Sequence, residues 1–169
     1  DEELHRLAAE IGSDCPFFLM EKPSIMRGRG ENTDSLEESI YKRIRGRRIA
    51  LFWPSFSIST PWAYGMFGKG EGSFSSSSRA EQDLSEWLEG NQPVEALLAN
   101  DFENILSSKF PTFPILFNDL QKNYGVNCSI SGTGSACFAF LDDESLANDL
   151  KSKVCSAWGA EAGFECVSL

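Results

Sequence analysis

Histidine is almost missing from this chain of 169 residues: His5 is the only one. The five cysteines (Cys15, Cys128, Cys137, Cys155 and Cys166) are odd in number, and no two have C-x-x-C spacing. Structural zinc clusters and a dense disulfide framework are thereby excluded, and a reduced thiol inventory suits a cytoplasmic compartment. Basic charge is scarce as well. Fifteen Lys and Arg against 25 Asp and Glu leave a formal net charge of −10, which argues against binding to nucleic acid or to an anionic membrane, since both need a basic face. No apolar run approaches the roughly 20 residues that span a bilayer. There is no G-x-x-x-x-G-K-S/T segment, so a Walker phosphate loop is excluded. Finally, the chain opens at Asp1 with neither methionine nor signal peptide and enters directly into helical pattern, which reads as an internal start.

What is present is ordinary globular composition, 41% hydrophobic and 24% charged, enough to exclude disorder. The length suits one domain, or one domain plus a piece of another. Leu4, Leu7, Ala8 and Ile11 recur at helical spacing until Gly12. Ser13 to Leu19 reads as a polar turn entering a short apolar strand. A second extended segment starts at Pro23 and closes on Gly28-Arg29-Gly30-Glu31. Residues 32–48 read as polar and irregular, ending in a basic run, and a domain boundary is expected there, with 1–46 before it and 47–169 after it. Ile49–Trp53 reads as a buried strand, Pro61–Phe67 as a helix, and 68–78 as a mobile Gly/Ser loop. Helical patterns follow at 80–88, 93–99, 101–107 and 113–124. Val126–Ile130 and Ala136–Leu141 read as strands around a glycine loop. Leu146, Leu150, Val154 and Trp158 then mark a helix capped by Asp142 or Asp143, and Phe164–Leu169 a last strand. From residue 49 the order is strand, helices, strand, strand, helix, strand. That order predicts an α+β fold, an antiparallel sheet covered by helices in the ferredoxin-like manner. No internal repeat is visible.

Five features could carry chemistry. The loop Gly132-Thr133-Gly134-Ser135 has the backbone freedom to approach a phosphate. It joins two strands, however, and taken alone more simply suits a hairpin turn. Asp14, just past a helix and before Cys15-Pro16-Phe17-Phe18, is placed for general-base use with a pKa raised by apolar surroundings, or for an Asx turn. Thr60, Pro61 and Tyr64 begin a helix, Thr60 as a cap and Tyr64 as a core ring or a stacking platform. The basic run 42–48 suits a solvated linker or phosphate contact. His5 sits among leucines and alanines, as a helix histidine more simply than as half of a Ser/Cys–His pair.

Taken in order, these features resemble the GHMP small-molecule kinases. Leu7-Ala8-Ala9-Glu10-Ile11-Gly12-Ser13-Asp14-Cys15-Pro16-Phe17-Phe18 is similar to the family pattern L-A-x-x-x-G-S/A-D-x-P-F-F, and Gly28-Arg29-Gly30-Glu31 to a G-R-G-E turn. Ser57-Ile58-Ser59-Thr60-Pro61-Trp62-Ala63-Tyr64 resembles S-x-x-T-x-x-A-Y, and Asn100-Asp101-Phe102-Glu103 resembles N-D-L/F-E. Ser131-Gly132-Thr133-Gly134-Ser135-Ala136-Cys137-Phe138-Ala139 looks like the third family motif.

The resemblance implies an ATP-dependent transfer of phosphate to an alcohol, with Mg2+ as cofactor and a cytidine diphosphate derivative of isoprenoid biosynthesis as the small-molecule substrate. It implies Asp14 as the catalytic base, Thr60 and Pro61 on the polyol side of the pocket and Tyr64 against the cytosine ring. Gly132, Thr133, Gly134 and Ser135 would support the phosphate region. The family's lysine, its P-x-x-x-G-L-G-S-S loop, its magnesium contacts and a further stacking aromatic have no counterpart here. Residues 1–46 are therefore expected to be the tail of an ATP-binding domain and 47–169 the substrate domain, inactive when isolated. Two alternatives stand beside this: a non-catalytic α+β binding or scaffold domain, and a GHMP kinase of the mevalonate or homoserine type.

Overall fold

Leu4, Leu7 and Ala8 lie on the first helix, α1 (Glu2–Ile11), which Arg6 and Glu10 brace with an i,i+4 ion pair of 2.7 Å and which Gly12 ends through its N–H to the Ala8 carbonyl. The computed structural model describes residues 2–12, 14–20, 22–28, 30, 32–70, 72 and 74–169, and they divide into two compact units, Asp1–Arg45 and Gly46–Leu169.

In the first unit, Cys15–Leu19 is a turn of 3₁₀ helix and not the expected strand. Pro16 stands in its first turn, where the missing N–H costs nothing, and the Phe17 and Phe18 rings meet edge-on at 5.5 Å. An apolar doublet after a proline suits either element by composition. β1 (Ser24–Arg27) pairs antiparallel with β2 (Asn32–Ser35), and Arg27 reaches across to Asp34 at 2.9 Å. A short helix α2 (Glu38–Tyr41) follows. The irregular reading of 32–48 is thus corrected at both elements: each has four residues, too few for a hydrophobic period to register.

The second unit is built on one four-stranded antiparallel sheet. Its strands are β3 (Arg48–Trp53), β4 (Cys128–Ile130), β5 (Cys137–Leu141) and β6 (Gly163–Ser168), in spatial order β4-β5-β3-β6. That is the ferredoxin-like order, an α+β layer arrangement as expected. Ala50 stands opposite Ala139 on one side and Cys166 on the other, so a small-residue row runs across the sheet centre. β3 is half-buried: Ala50 and Phe52 are enclosed while Leu51 and Trp53 face outward.

Between β3 and β4 run α3 (Thr60–Gly68), α4 (Ser77–Glu89), a 3₁₀ turn (Val94–Leu97), α5 (Glu103–Lys109) and α6 (Thr112–Tyr124), and α7 (Leu146–Trp158) joins β5 to β6. Leu106, Phe113, Leu120, Leu150 and Val154 of these helices close over Phe52 as one core. Trp158 lies 5.7 Å from the Phe52 ring and donates its indole N–H to Thr112 Oγ1 at 2.7 Å. Ser59 caps α3 and Ser76 caps α4, each accepting from a backbone N–H three residues on. Thr60, expected as the cap, is the first helical residue instead. Ser145 and neither aspartate holds the position before α7, although Asp143 accepts the Ser145 N–H at 2.8 Å. Among the described residues no helix is long and apolar enough to cross a membrane.

Candidate functional site

Asp14 belongs to the first unit, at the residue before the 3₁₀ turn, and its side chain is exposed. The backbone carbonyl of Asp14 accepts from Phe17 at 3.1 Å, but its carboxylate makes no capping bond, so the Asx turn is not formed. Gly30 supports the residue from the side. With φ of +108° it occupies a conformation open to glycine, and a Cβ there would stand 3.2 Å from the Asp14 Cβ and 3.1 Å from Met26 Cε. The turn between β1 and β2 therefore packs on the backbone of the aspartate. Ser13, Arg29 and Glu31, the remaining members of these two motifs, lie outside the described residues, as do Glu71 and Ser73 of the Gly/Ser loop.

The other predicted residues lie in the second unit, and there the structure brings them together. Thr60 Oγ1, freed from capping by Ser59, meets Thr133 Oγ1 at 3.0 Å, tying the first turn of α3 to the glycine loop. Pro61 follows in that turn. Tyr64, one turn further, is exposed and stands edge-on to Phe102 with centroids 4.9 Å apart. Its ring thus rests on one aromatic neighbour and is otherwise exposed, so it is not a core side chain. Gly134 has φ of +76° and lies close against Ile58 and Ile130, where a Cβ would come within 3.0 Å and 3.2 Å of their methyl groups. Ser135 Oγ donates to the Phe56 carbonyl at 2.8 Å. The middle and the exit of the loop are therefore tied to the first residue of α3 and to the segment that leads into it.

Asn100 opens the Asn100-Asp101-Phe102-Glu103 segment, and nothing in the sequence gives it a role of its own. In the structure its Nδ2 donates to the carbonyls of Ile130 (2.6 Å) and Gly132 (2.8 Å), and its Oδ1 accepts the Phe102 N–H at 2.9 Å. Next to it, Asp101 Oδ1 accepts from both the backbone N–H (2.9 Å) and the hydroxyl (2.5 Å) of Ser75. Beside these residues lies a cavity of about 500 Å³, bounded by Asn100, Phe102, Ser129, Gly132 and Phe138. Among the described residues no Lys, Arg or His lines it. An unpaired phosphate would be poorly held there.

Two arginines of the basic run, Arg47 and Arg48, are held in ion pairs. Arg47 pairs with Glu95 and, at 3.0 Å, with Asp142, while its guanidinium lies 4.8 Å from the Phe140 ring centre. Arg48 pairs with Glu144 at 2.7 Å. The cysteines offer no nucleophile near the loop: burial pushes the Cys128 thiol up to about 12 and the buried Cys137 thiol further still, with the Glu103 charge adding to both. Among the described residues no three His, Cys, Asp or Glu side chains are grouped to hold a metal ion. A site holding Mg2+ by protein side chains alone is therefore not formed among these residues.

Residues 78–160 match the family described as GHMP kinases C terminal. With the sheet order and helix layer above, that match places the second unit in the GHMP kinase C-terminal family. The individual relatives are narrower in name. A 4-diphosphocytidyl-2-C-methyl-D-erythritol kinase of Methylacidiphilum infernorum is 35% identical over 154 residues, 88% of this chain and 48% of that protein. Proteins of the same name from Thermotoga maritima and Geobacter sp. (strain M21) are 33% and 28% identical, over 82% and 91% of this chain and 49% and 51% of their own lengths. The chain thus spans about half the length of the curated relatives it matches. Two crystal structures share the fold: a 4-(cytidine 5'-diphospho)-2C-methyl-D-erythritol kinase (TM-score 0.68, 23% identity, 98% of this chain and 57% of that one) and a homoserine kinase of Cytophaga hutchinsonii (TM-score 0.58, 14% identity, 86% and 47%).

Proposed function

We propose that this chain is the C-terminal part of an ATP-dependent kinase that phosphorylates a hydroxyl of 4-diphosphocytidyl-2-C-methyl-D-erythritol, in the cytoplasm, on the non-mevalonate route to isoprenoids. The observation that carries the reading is the similarity, over most of this chain, to several proteins of that name. Within the second unit the contact between Thr60 and Thr133 supports it, since it joins the two segments assigned to substrate and to phosphate.

In this reading the Asp14 carboxylate, free of any capping bond, accepts the proton of the substrate hydroxyl as that oxygen bonds to the γ-phosphorus of ATP. The bond from the γ-phosphorus to the β,γ-bridging oxygen breaks, and ADP leaves. Thr60 and Pro61 bound the polyol, Tyr64 offers its open face to the cytosine, and the loop Gly132 to Ser135 lies toward the phosphates. Catalysis of this type is mostly positioning, which suits a loop held at both ends. Residues 1–46 read as part of an ATP-binding domain. Among their described apolar side chains only Ala8 is buried, too little for a core of their own. The ligands of ATP and Mg2+ are expected mostly outside this chain, and the chain alone is expected not to turn over.

The test is a substrate panel with the complete protein: ATP with 4-diphosphocytidyl-2-C-methyl-D-erythritol, mevalonate or homoserine, ADP release being followed. ADP release with the cytidine substrate alone is the expected result. Preferential turnover of homoserine or mevalonate would reassign the pocket, and no turnover of any would favour a non-catalytic module.

A further inference from the structure

We infer that Asn100 is a positioning residue that sets the glycine loop and the Tyr64 ring at a working distance from each other; the inference rests on the kinase reading above. Three observations carry it. First, the amide of Asn100 spends both donor hydrogens on the carbonyls of Ile130 and Gly132, which flank Ser131 where β4 becomes the loop. β4 is an edge strand, so these carbonyls have no neighbouring strand on that side, and the side chain stands in for one. Second, the remaining acceptor of the same amide takes the Phe102 N–H at the start of α5. Third, Phe102 is the ring against which Tyr64 rests.

One planar group therefore fixes two elements that the reading assigns to opposite ends of a substrate. The hydroxyl pair of Thr60 and Thr133 and the bond from Ser135 to Phe56 hold the middle and the exit of the loop but leave its entrance free to move. The two carbonyl bonds to Asn100 remove that freedom at the loop's entrance. Aspartate cannot replace it: the acceptor toward Phe102 survives, but a carboxylate oxygen then faces two carbonyls. A leucine-sized apolar residue would leave both carbonyls unpaired.

The experiment compares wild type, Asn100→Asp, Asn100→Ala, Tyr64→Ala and the Asn100→Asp/Tyr64→Ala double variant in the complete protein. It reads kcat and KM separately, with thermal unfolding alongside. A misplacement of this kind predicts a loss in kcat/KM of about 10- to 100-fold for Asn100→Asp, with KM for the cytidine substrate raised. The double variant should be little worse than the poorer single one, because Asn100 acts partly through Tyr64. An active wild type with Asn100→Asp kinetics within twofold, or fully additive losses, overturns the inference and leaves the kinase reading standing. Loss of the unfolding transition in both Asn100 variants assigns the residue to stability alone and also overturns it. An inactive wild type sinks the kinase reading, and this inference with it.

Discussion

Asp14 is one carboxylate on a turn too short to hold it by packing, and what steadies it is a glycine. Gly30 lies against the Asp14 Cα and Cβ with φ of +108°. Gly30→Ala adds a methyl at 3.2 Å from that Cβ and strains the turn as well. Its expected effect is a loss of about 1–2 kcal/mol in stability, with a fall in kcat larger than the fall in substrate affinity, measured by chemical denaturation and steady-state kinetics. Turnover unchanged in Gly30→Ala would show that the turn does not position Asp14. The two motifs that meet here are sixteen residues apart in sequence, so their contact could not be read from spacing.

At the scale of elements, the 3₁₀ turn Val94–Leu97 is joined by a pair of charges to the start of β3. Burial, the largest single effect, would raise the Glu95 carboxyl, but the hydrogen bond from Arg47, a backbone hydrogen bond and the Arg47 charge together outweigh it and hold the group below the usual carboxylate range. A carboxyl lowered in the folded state stabilises it above its unfolded pKa of about 4.3, and that stabilisation is lost as pH falls through the folded value. Glu95→Gln is therefore expected to cost about 1 kcal/mol at pH 7, with the difference from wild type shrinking below about pH 4. Equal stability of the two proteins at pH 7 in urea titrations would contradict this.

The same scale decides how legible the fold was. α6 and α7 carry thirteen residues each, long enough for Phe113, Leu116 and Leu120, or Leu150 and Val154, to repeat on one face, and both were plain from spacing. β2 and α2 have four residues each, and Asn32–Ser35 carries no apolar alternation at all. The 3₁₀ turn at Cys15–Leu19 was mistaken for a strand because Pro16 and two phenylalanines serve either element. In the candidate site, Thr60, Tyr64 and the glycine loop were legible as motifs. The role of Asn100 was not, since three hydrogen bonds to residues 2, 30 and 32 positions away leave no pattern in sequence.

For the whole molecule, the two units differ in kind. The second holds a closed aromatic and aliphatic core, from Phe52 through Phe113 to Val154. The first leaves Leu4, Leu7, Ile11 and Phe18 exposed, Ile11 and Phe18 by 82% and 80%. The function proposed for the first unit rests on a single carboxylate. The direct measurement is ATP-dependent phosphorylation of 4-diphosphocytidyl-2-C-methyl-D-erythritol by the complete protein and its Asp14→Asn variant at matched folding. The account predicts that kcat falls about 100-fold or more in the variant while the affinity for the cytidine substrate changes little. Wild-type turnover in Asp14→Asn would contradict it.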